Sequence, residues 1–197
     1  MRDIIFVVEN AIYANDGYKS RIEMEMDILH NNFKFHMIVP YDKRKIEFRH
    51  NVNIYSYKAF NEKVPFLLNM YWLRNKLIEV SKKLNNPIIY CEALPAAVAA
   101  RKVCESLNLK LVFDCHGTAP DEVYLYHPNI IGKIYSNWLR KKEKQIVDKS
   151  DLLITVSKKQ FELFNVNKKY ILLPMLPAEQ FFDESNYREV IRRKLNV

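Results

Sequence analysis

Four consecutive residues, Asp114-Cys115-His116-Gly117, follow the apolar run Leu111-Val112-Phe113 and precede Pro120-Asp121-Glu122. A short run of bulky, strand-favouring residues that stops at a polar turn reads as a buried strand. A proline followed by two acids reads as the first turn of a helix. His116 is therefore predicted at the carboxyl end of a strand, in the loop before a helix, where open α/β sheets bind ligands. Imidazole titrates near neutrality, so His116 is the candidate base or phosphate contact, with Gly117 beside it in the same binding loop. Asp114, two residues back on the same side of the strand, could orient it. The plainer alternative is a loop histidine that only satisfies its own hydrogen bonds.

Two further places could serve the same rim. Glu92 closes the apolar run Ile88-Ile89-Tyr90-Cys91 and is expected there as an acceptor contact, or else as a capping acid before the helix opened by Pro95. Asp16-Gly17-Tyr18-Lys19-Ser20-Arg21 lies between the first apolar run and the first amphipathic segment. The N-terminus of a helix carries unpaired N–H groups and partial positive charge, so Gly17, Lys19 and Arg21 suit a phosphate or a sugar acceptor. A simple turn with solvated charges fits them as well.

The elements that position these residues alternate. Strands are predicted at 3–9, 33–39, 52–57, 88–91, 111–113, 151–156 and 170–173. Helices are predicted from Asp16 through Leu29, over Phe66 to Leu84, from Pro95 through Leu107, over 130–149, from a Ser157 cap to Phe164, and over Tyr187 to Leu195. The charged segment 41–51 reads as a surface loop. Strand and helix in alternation imply a parallel sheet, here of about seven strands, with helices on both faces.

Composition narrows the class. The chain has 197 residues, 49% of them hydrophobic, which suits one globular core. The start, Met1-Arg2-Asp3-Ile4, meets an acid too early for a signal peptide, and no apolar run approaches the ~20 residues that span a bilayer. Three cysteines without CxxC spacing read as reduced thiols. A cytoplasmic location is expected. The net charge of +8 suits anionic partners. Only three glycines are present, and no GxGxxG, P-loop, HExxH, Asp-x-Asp or zinc-like cluster occurs, so neither a dinucleotide fingerprint nor a metal site is expected.

Helix 130–149 has two readings. Ile130, Ile131, Ile134, Tyr135, Trp138, Leu139 and Ile146 share a broad half, with Lys133, Arg140, Lys141 and Lys144 beside it. One reading is an interfacial membrane helix, in which Lys133, Trp138, Arg140, Lys141 and Lys144 touch lipid. The other is a core-packing helix with a basic outer face, into which most of the apolar residues would be buried. Met70, Tyr71, Trp72 and Arg74 form a second patch of the same kind.

Several segments in order carry a family resemblance: Asp16-Gly17 through Arg21, Pro87-Ile88-Ile89-Tyr90, Ala96 to Asn108, Leu111 through Glu122, and Lys149-Ser150-Asp151 through Ser157. Together they resemble the N-terminal domain of the retaining group 4 glycosyltransferases of GT-B fold. The family's first loop has a double glycine where this chain has Asp16-Gly17, and Leu172-Leu173-Pro174-Met175 matches only the beginning of its last-strand turn.

The resemblance implies a three-layer, Rossmann-like acceptor-binding domain over 1–180. Residues 181–197 would be the linker and start of a C-terminal donor-binding domain, making the chain a piece of a longer enzyme that is inactive alone. It also implies sugar transfer from a nucleotide-sugar, bound through that second domain, to a sugar or lipid-linked acceptor, with retention of configuration and no required metal or other cofactor. His116 would contact the reacting groups. Cell-surface polysaccharide or glycolipid synthesis at the inner face of the membrane is the expected setting, with no nucleic acid partner. The rival from the residues is a stand-alone basic α/β module for nucleic acid or anionic lipid; an epimerase-like dinucleotide enzyme fails on the absent GxGxxG.

Overall fold

Apolar runs become strands and amphipathic runs become helices, alternating except where two strands follow one another after Phe33 and two helices after Ala119. The computed structural model describes residues 1–8, 17–41, 47–58, 66–117 and 119–173. In chain order the elements are β1 (Arg2–Val7), α1 (Gly17–Leu29), β2 (Phe33–Pro40), β3 (Val52–Tyr57), α2 (Phe66–Ser81), β4 (Ile88–Glu92), α3 (Ala93–Leu107), β5 (Leu111–Cys115), α4 (Ala119–Tyr126), α5 (Ile130–Lys149), β6 (Leu152–Thr155), α6 (Lys158–Phe164) and β7 (Tyr170–Leu172). The seven strands form one parallel sheet in the order β3-β2-β1-β4-β5-β6-β7. The order reverses between β1 and β4, so this is the switch point at which such sheets leave a crevice.

Side-chain alternation divides the core in two. Ile5, Val7, Ile89, Cys91, Leu111, Phe113 and Leu153 face α2, α3 and α5. The small residues Ala96, Ala97, Ala99 and Ala100 let α3 lie close on the sheet. Ile4, Phe6, Tyr90 and Ile154 face the other way, against Ile22 and Met26 of α1. Each of these two α1 residues is fully buried, contributing roughly 1.5–3 kcal/mol.

Some boundaries differ from expectation. Helix α2 stops at Ser81 and finishes in turns, short of Leu84. Helix α3 begins at Ala93 rather than Pro95, because β4 enters it without a loop. The chain turns at Ala93 with φ 66°, in the left-handed region where a Cβ costs about 1–2 kcal/mol. The loop through Asp16, the domain boundary near 180 and the helix expected over 187–195 lie outside the described residues.

Candidate active site

Glu92, Asp114 and His116 share one face of the sheet because they share register: Glu92 pairs with Asp114 across β4 and β5, and His116 follows two residues on. That face looks toward α1, which presents Arg21 and Glu25 one turn apart beside its apolar stripe. Five ionisable groups thus meet under α1 at the carboxyl edge of the sheet, and four of them are almost wholly buried: Arg21, Glu25, Glu92 and Asp114.

Asp114 is the hub. Arg21 grips it as a fork, with Nε 3.0 Å from Oδ2 and Nη2 3.0 and 2.8 Å from Oδ1 and Oδ2. The Tyr90 hydroxyl donates to Oδ2 at 3.2 Å, and His116 Nε2 lies 2.8 Å from the same oxygen. Arg21 Nη1 also donates to the carbonyl of Leu173 at 3.2 Å, joining α1 to the end of β7. Burial works against the charge on Asp114, but the His116 and Arg21 contacts outweigh it and hold the carboxyl below its usual range. For Arg21, burial is likewise outweighed by Asp114.

The other two carboxyls are placed differently. Glu92 Oε2 lies 2.9 Å from His116 Nε2, the atom that also contacts Asp114. One N–H can be aimed at only one acceptor; it serves Asp114, and Glu92 has a charge contact without a hydrogen bond of its own. Burial foremost raises its pKa, against the pull of His116. Glu25 Oε1 lies 3.2 Å from Arg21 Nε. Burial, then the charges of Glu92 and Asp114, push Glu25 up to about 10, so it is a neutral acid at pH 7.

This changes the chemistry expected of His116. Burial lowers its affinity for a proton, but the Asp114 and Glu92 contacts prevail and raise its pKa to about 9. It is an imidazolium at neutral pH, with Nε2 turned inward to two carboxyls. A cation of this kind stabilises negative charge and does not act as the resting-state base. Glu92 is not a helix cap either: it stands at the N-cap of α3 and makes no side-chain capping bond.

Among the described residues, Glu92, Asp114 and His116 are a group whose ligand atoms fall within 4.8 Å of one another, close enough to hold a metal ion. A cation there would have to displace the Nε2 proton and compete with the Arg21 fork.

The remaining expected residues are placed less centrally. Gly17 is the first residue of α1. Lys19 pairs with Glu23 at 3.8 Å and lies over the Phe48 ring, away from Asp114. The carbonyl of Gly117 accepts from Gln160 Nε2 at 2.9 Å, which fastens the His116 loop to α6. A Cβ on Gly117 would meet Glu122 Oε1 at 2.7 Å. On α5, Arg140 pairs with Asp121 at 2.6 Å and stays exposed. Trp138 is half-buried, stacked on Tyr135, with Lys142 over its ring. Lys133, Lys141 and Lys144 are exposed. Burying α5's apolar residues in the core holds for Leu139 and Ile146 but not for Ile130, Ile131 and Ile134, which are exposed.

Sequence reasoning missed Glu25, Tyr90 and Gln160 as members of the network. The available signal was polarity out of place: a tyrosine inside a buried strand, and an Arg21–Glu25 pair flanking an apolar stripe.

Comparison with known proteins points one way. Residues 28–165 match the family model described as Glycosyltransferase Family 4. No curated protein matches the chain significantly in sequence. Among solved structures, sucrose-phosphate synthase from Thermosynechococcus elongatus superposes with a TM-score of 0.63 at 11% identity, covering 100% of both chains. UGT2 of Phytolacca americana, complexed with UDP-2fluoro-glucose and pterostilbene, gives 0.60 at 10% identity over 90% of this chain and 54% of that one. Anabaena HepE in complex with UDP gives 0.59 at 11% identity over 100% of this chain and 50% of that one. The chain spans about half the length of the latter two.

Proposed function

The chain belongs to Glycosyltransferase Family 4, and from that premise we propose that it is the acceptor-side half of a retaining sugar transferase. The observation that carries the reading is His116, half-buried at the sheet's carboxyl edge with Nε2 within 2.9 Å of Asp114 and Glu92, contacts that favour its charged form, while Arg21 holds Asp114 in place. Departure of a nucleotide from a sugar builds negative charge on the leaving diphosphate. A fixed positive group at the cleft stabilises that charge without reorganising. Asp114 and Glu92 are positioning residues: they keep the imidazole charged and oriented. The reading needs no metal and no cofactor beyond the nucleotide-sugar itself.

In this reading a second domain binds the donor, the acceptor is a sugar or lipid-linked sugar, and the product is a cell-surface polysaccharide or glycolipid. The setting is the cytoplasmic face of a membrane, reached through the basic residues of α5. UDP-containing complexes among the structural neighbours make a nucleotide-sugar donor the natural candidate.

The test is sugar transfer by an enzyme comprising this chain and a donor domain, assayed over a panel of nucleotide-sugars. His116→Ala should lower kcat by a hundredfold or more, and His116→Gln nearly as much, with the circular dichroism spectrum unchanged. The 197-residue chain alone should show no submicromolar nucleotide-sugar binding by calorimetry. Full activity in both His116 variants overturns the assignment.

A further inference from the structure

Helix α5 changes chemical character along its length. Its first two turns expose Ile130, Ile131 and Ile134, at 78%, 79% and 65%, and the end of α4 adds Leu125 and Tyr126 at 74% and 76%. Its later turns expose Lys141 and Lys144, with Lys141 following Ile134 at i+7 on the same face. Lys133, Lys141 and Lys144 have no ion-pair partner among the described residues, unlike Arg140. A helix lying flat in a membrane interface carries basic flanks along its whole length. Here, Lys133 apart, the exposed apolar residues gather in the first turns and Lys141 and Lys144 in the later ones, with the apolar end at the tip of a helical hairpin.

We propose that the α4–α5 hairpin enters an anionic phospholipid leaflet tip first, with Lys141 and Lys144 at the level of the headgroups and the Lys133 side chain reaching back to them along its stem. The proposal deepens the membrane part of the preceding reading and does not depend on the transfer chemistry. An α-helix rises ~1.5 Å per residue, so the Ile130–Ile134 turn penetrates ~6 Å while Lys141 stands ~16 Å behind Ile130. Amphipathic segments bury their apolar face ~5–10 Å into the headgroup boundary, which matches the first figure. Tyr124, Tyr126 and Tyr135 are exposed on the same two helices, and aromatic side chains with polar ends favour lipid–water boundaries. A lipid surface is favoured over a protein partner by the charge: an apolar tip backed by unpaired lysines complements an acidic leaflet. The basic zone continues past Trp138 into a groove of about 290 Å³, with Arg74, Lys102 and Lys142 on its walls, open to a headgroup phosphate.

The hairpin is built to keep its shape when it enters. The Asn129 side chain caps α5 by accepting from the Gly132 amide at 2.8 Å. Gly132 passes so close to the His127 carbonyl that a Cβ would lie 1.9 Å from that oxygen. Ser136 Oγ donates to the Pro120 carbonyl at 2.6 Å, tying α5 to the start of α4.

The experiment uses vesicles of phosphatidylcholine alone and of phosphatidylcholine with phosphatidylglycerol. The parent chain is compared with Ile130→Asp/Ile131→Asp and with Lys133→Glu/Lys141→Glu. All four positions already face water, so the fold should survive, checked by circular dichroism. An environment-sensitive dye on Leu125→Cys reports depth, since Cys91, Cys104 and Cys115 are buried. Expected are binding to acidic vesicles, at least tenfold weaker partitioning for the aspartate pair, and quenching of the dye by lipids brominated in their chains. Undiminished binding by the aspartate pair, with loss only in the glutamate pair, overturns insertion and leaves a purely electrostatic contact. Binding by none of the proteins overturns both. A dimer in solution that the aspartate pair dissolves would assign the patch to a second copy instead, and also overturns insertion.

Discussion

Asp151 and Glu92 are both carboxylates at strand ends, on opposite edges of one sheet. Asp151, at the amino edge, accepts from the Leu111 amide at 2.9 Å and from Lys110 Nζ at 2.7 Å. Slight burial opposes its charge, but Lys110 and the amide outweigh it and keep the pKa below the ordinary range. Glu92, at the carboxyl edge, is fully buried without a hydrogen bond, and its pKa is raised. The amino edge is finished with water-facing pairs between adjacent chain segments. The carboxyl edge gathers like charges from α1, β4 and β5 into a space with too few donors. Groups held against their own preference in this way are characteristic of sites that act on a ligand.

Removing the cation at the carboxyl edge should widen the contrast most. Arg21→Ala strands Asp114 beside Glu92, and breaking a buried pair on one side costs about 3–5 kcal/mol. Urea unfolding should show a loss of that size, and a loss under 1 kcal/mol would mean that the carboxyl edge is as relaxed as the other.

The pH response comes next. His116 is raised from 6.5 to about 9, so its stabilising contribution is complete below 6.5 and is lost as pH rises through 9. Glu25, raised from 4.5 to about 10, has the same sign: the folded state retains a proton that the unfolded chain releases. The His116 contribution alone should therefore lower stability by about 2–3 kcal/mol from pH 6.5 to 9.5, Glu25 adds to the fall, and Glu25→Gln should flatten part of the slope. Thermal melts across this range give the measurement; a rising Tm would contradict it.

The smallest effect belongs to the amino edge. Asp151→Ala should cost about 1 kcal/mol, as exposed pairs and single hydrogen bonds do. Its pH dependence has the opposite sign, since a depressed carboxyl stabilises above 3.8 and loses that contribution as pH falls. A cost near that of Arg21→Ala would erase the distinction between the edges.

The two edges also differ in how far sequence discloses them. Strand order could not be read, but strand type and the place of His116 could, because Leu111–Phe113 and Ile88–Cys91 are unbroken apolar runs with sharp ends. Asp114 was legible as an orienting group because alternation puts it on the same side as His116. Its grip by Arg21 was not, since 93 positions separate the two and only the sheet order brings them together. The protonation of His116 was also hidden, because it depends on Glu92 arriving from a neighbouring strand. On α5, periodicity gathered the apolar residues on one half of the helix but could not say which of its turns the rest of the chain covers, and Ile130, Ile131 and Ile134 are left exposed.

The switch between β1 and β4 has a consequence for how the chain assembles. From β4 to β7 each strand pairs with the next in sequence, while Ile4 of β1 must find Ile88 of β4. Contacts of such long sequence separation form late, after the loop-closure entropy has been met. The seam between β1 and β4 is thus the natural last step of folding, and Arg21 joins Asp114 across it. The same ionic contacts that shape the cleft also lock the two halves of the sheet together. Backbone amides along β1 should exchange with solvent by the opening of that seam, and faster whenever the Arg21–Asp114 contact is broken.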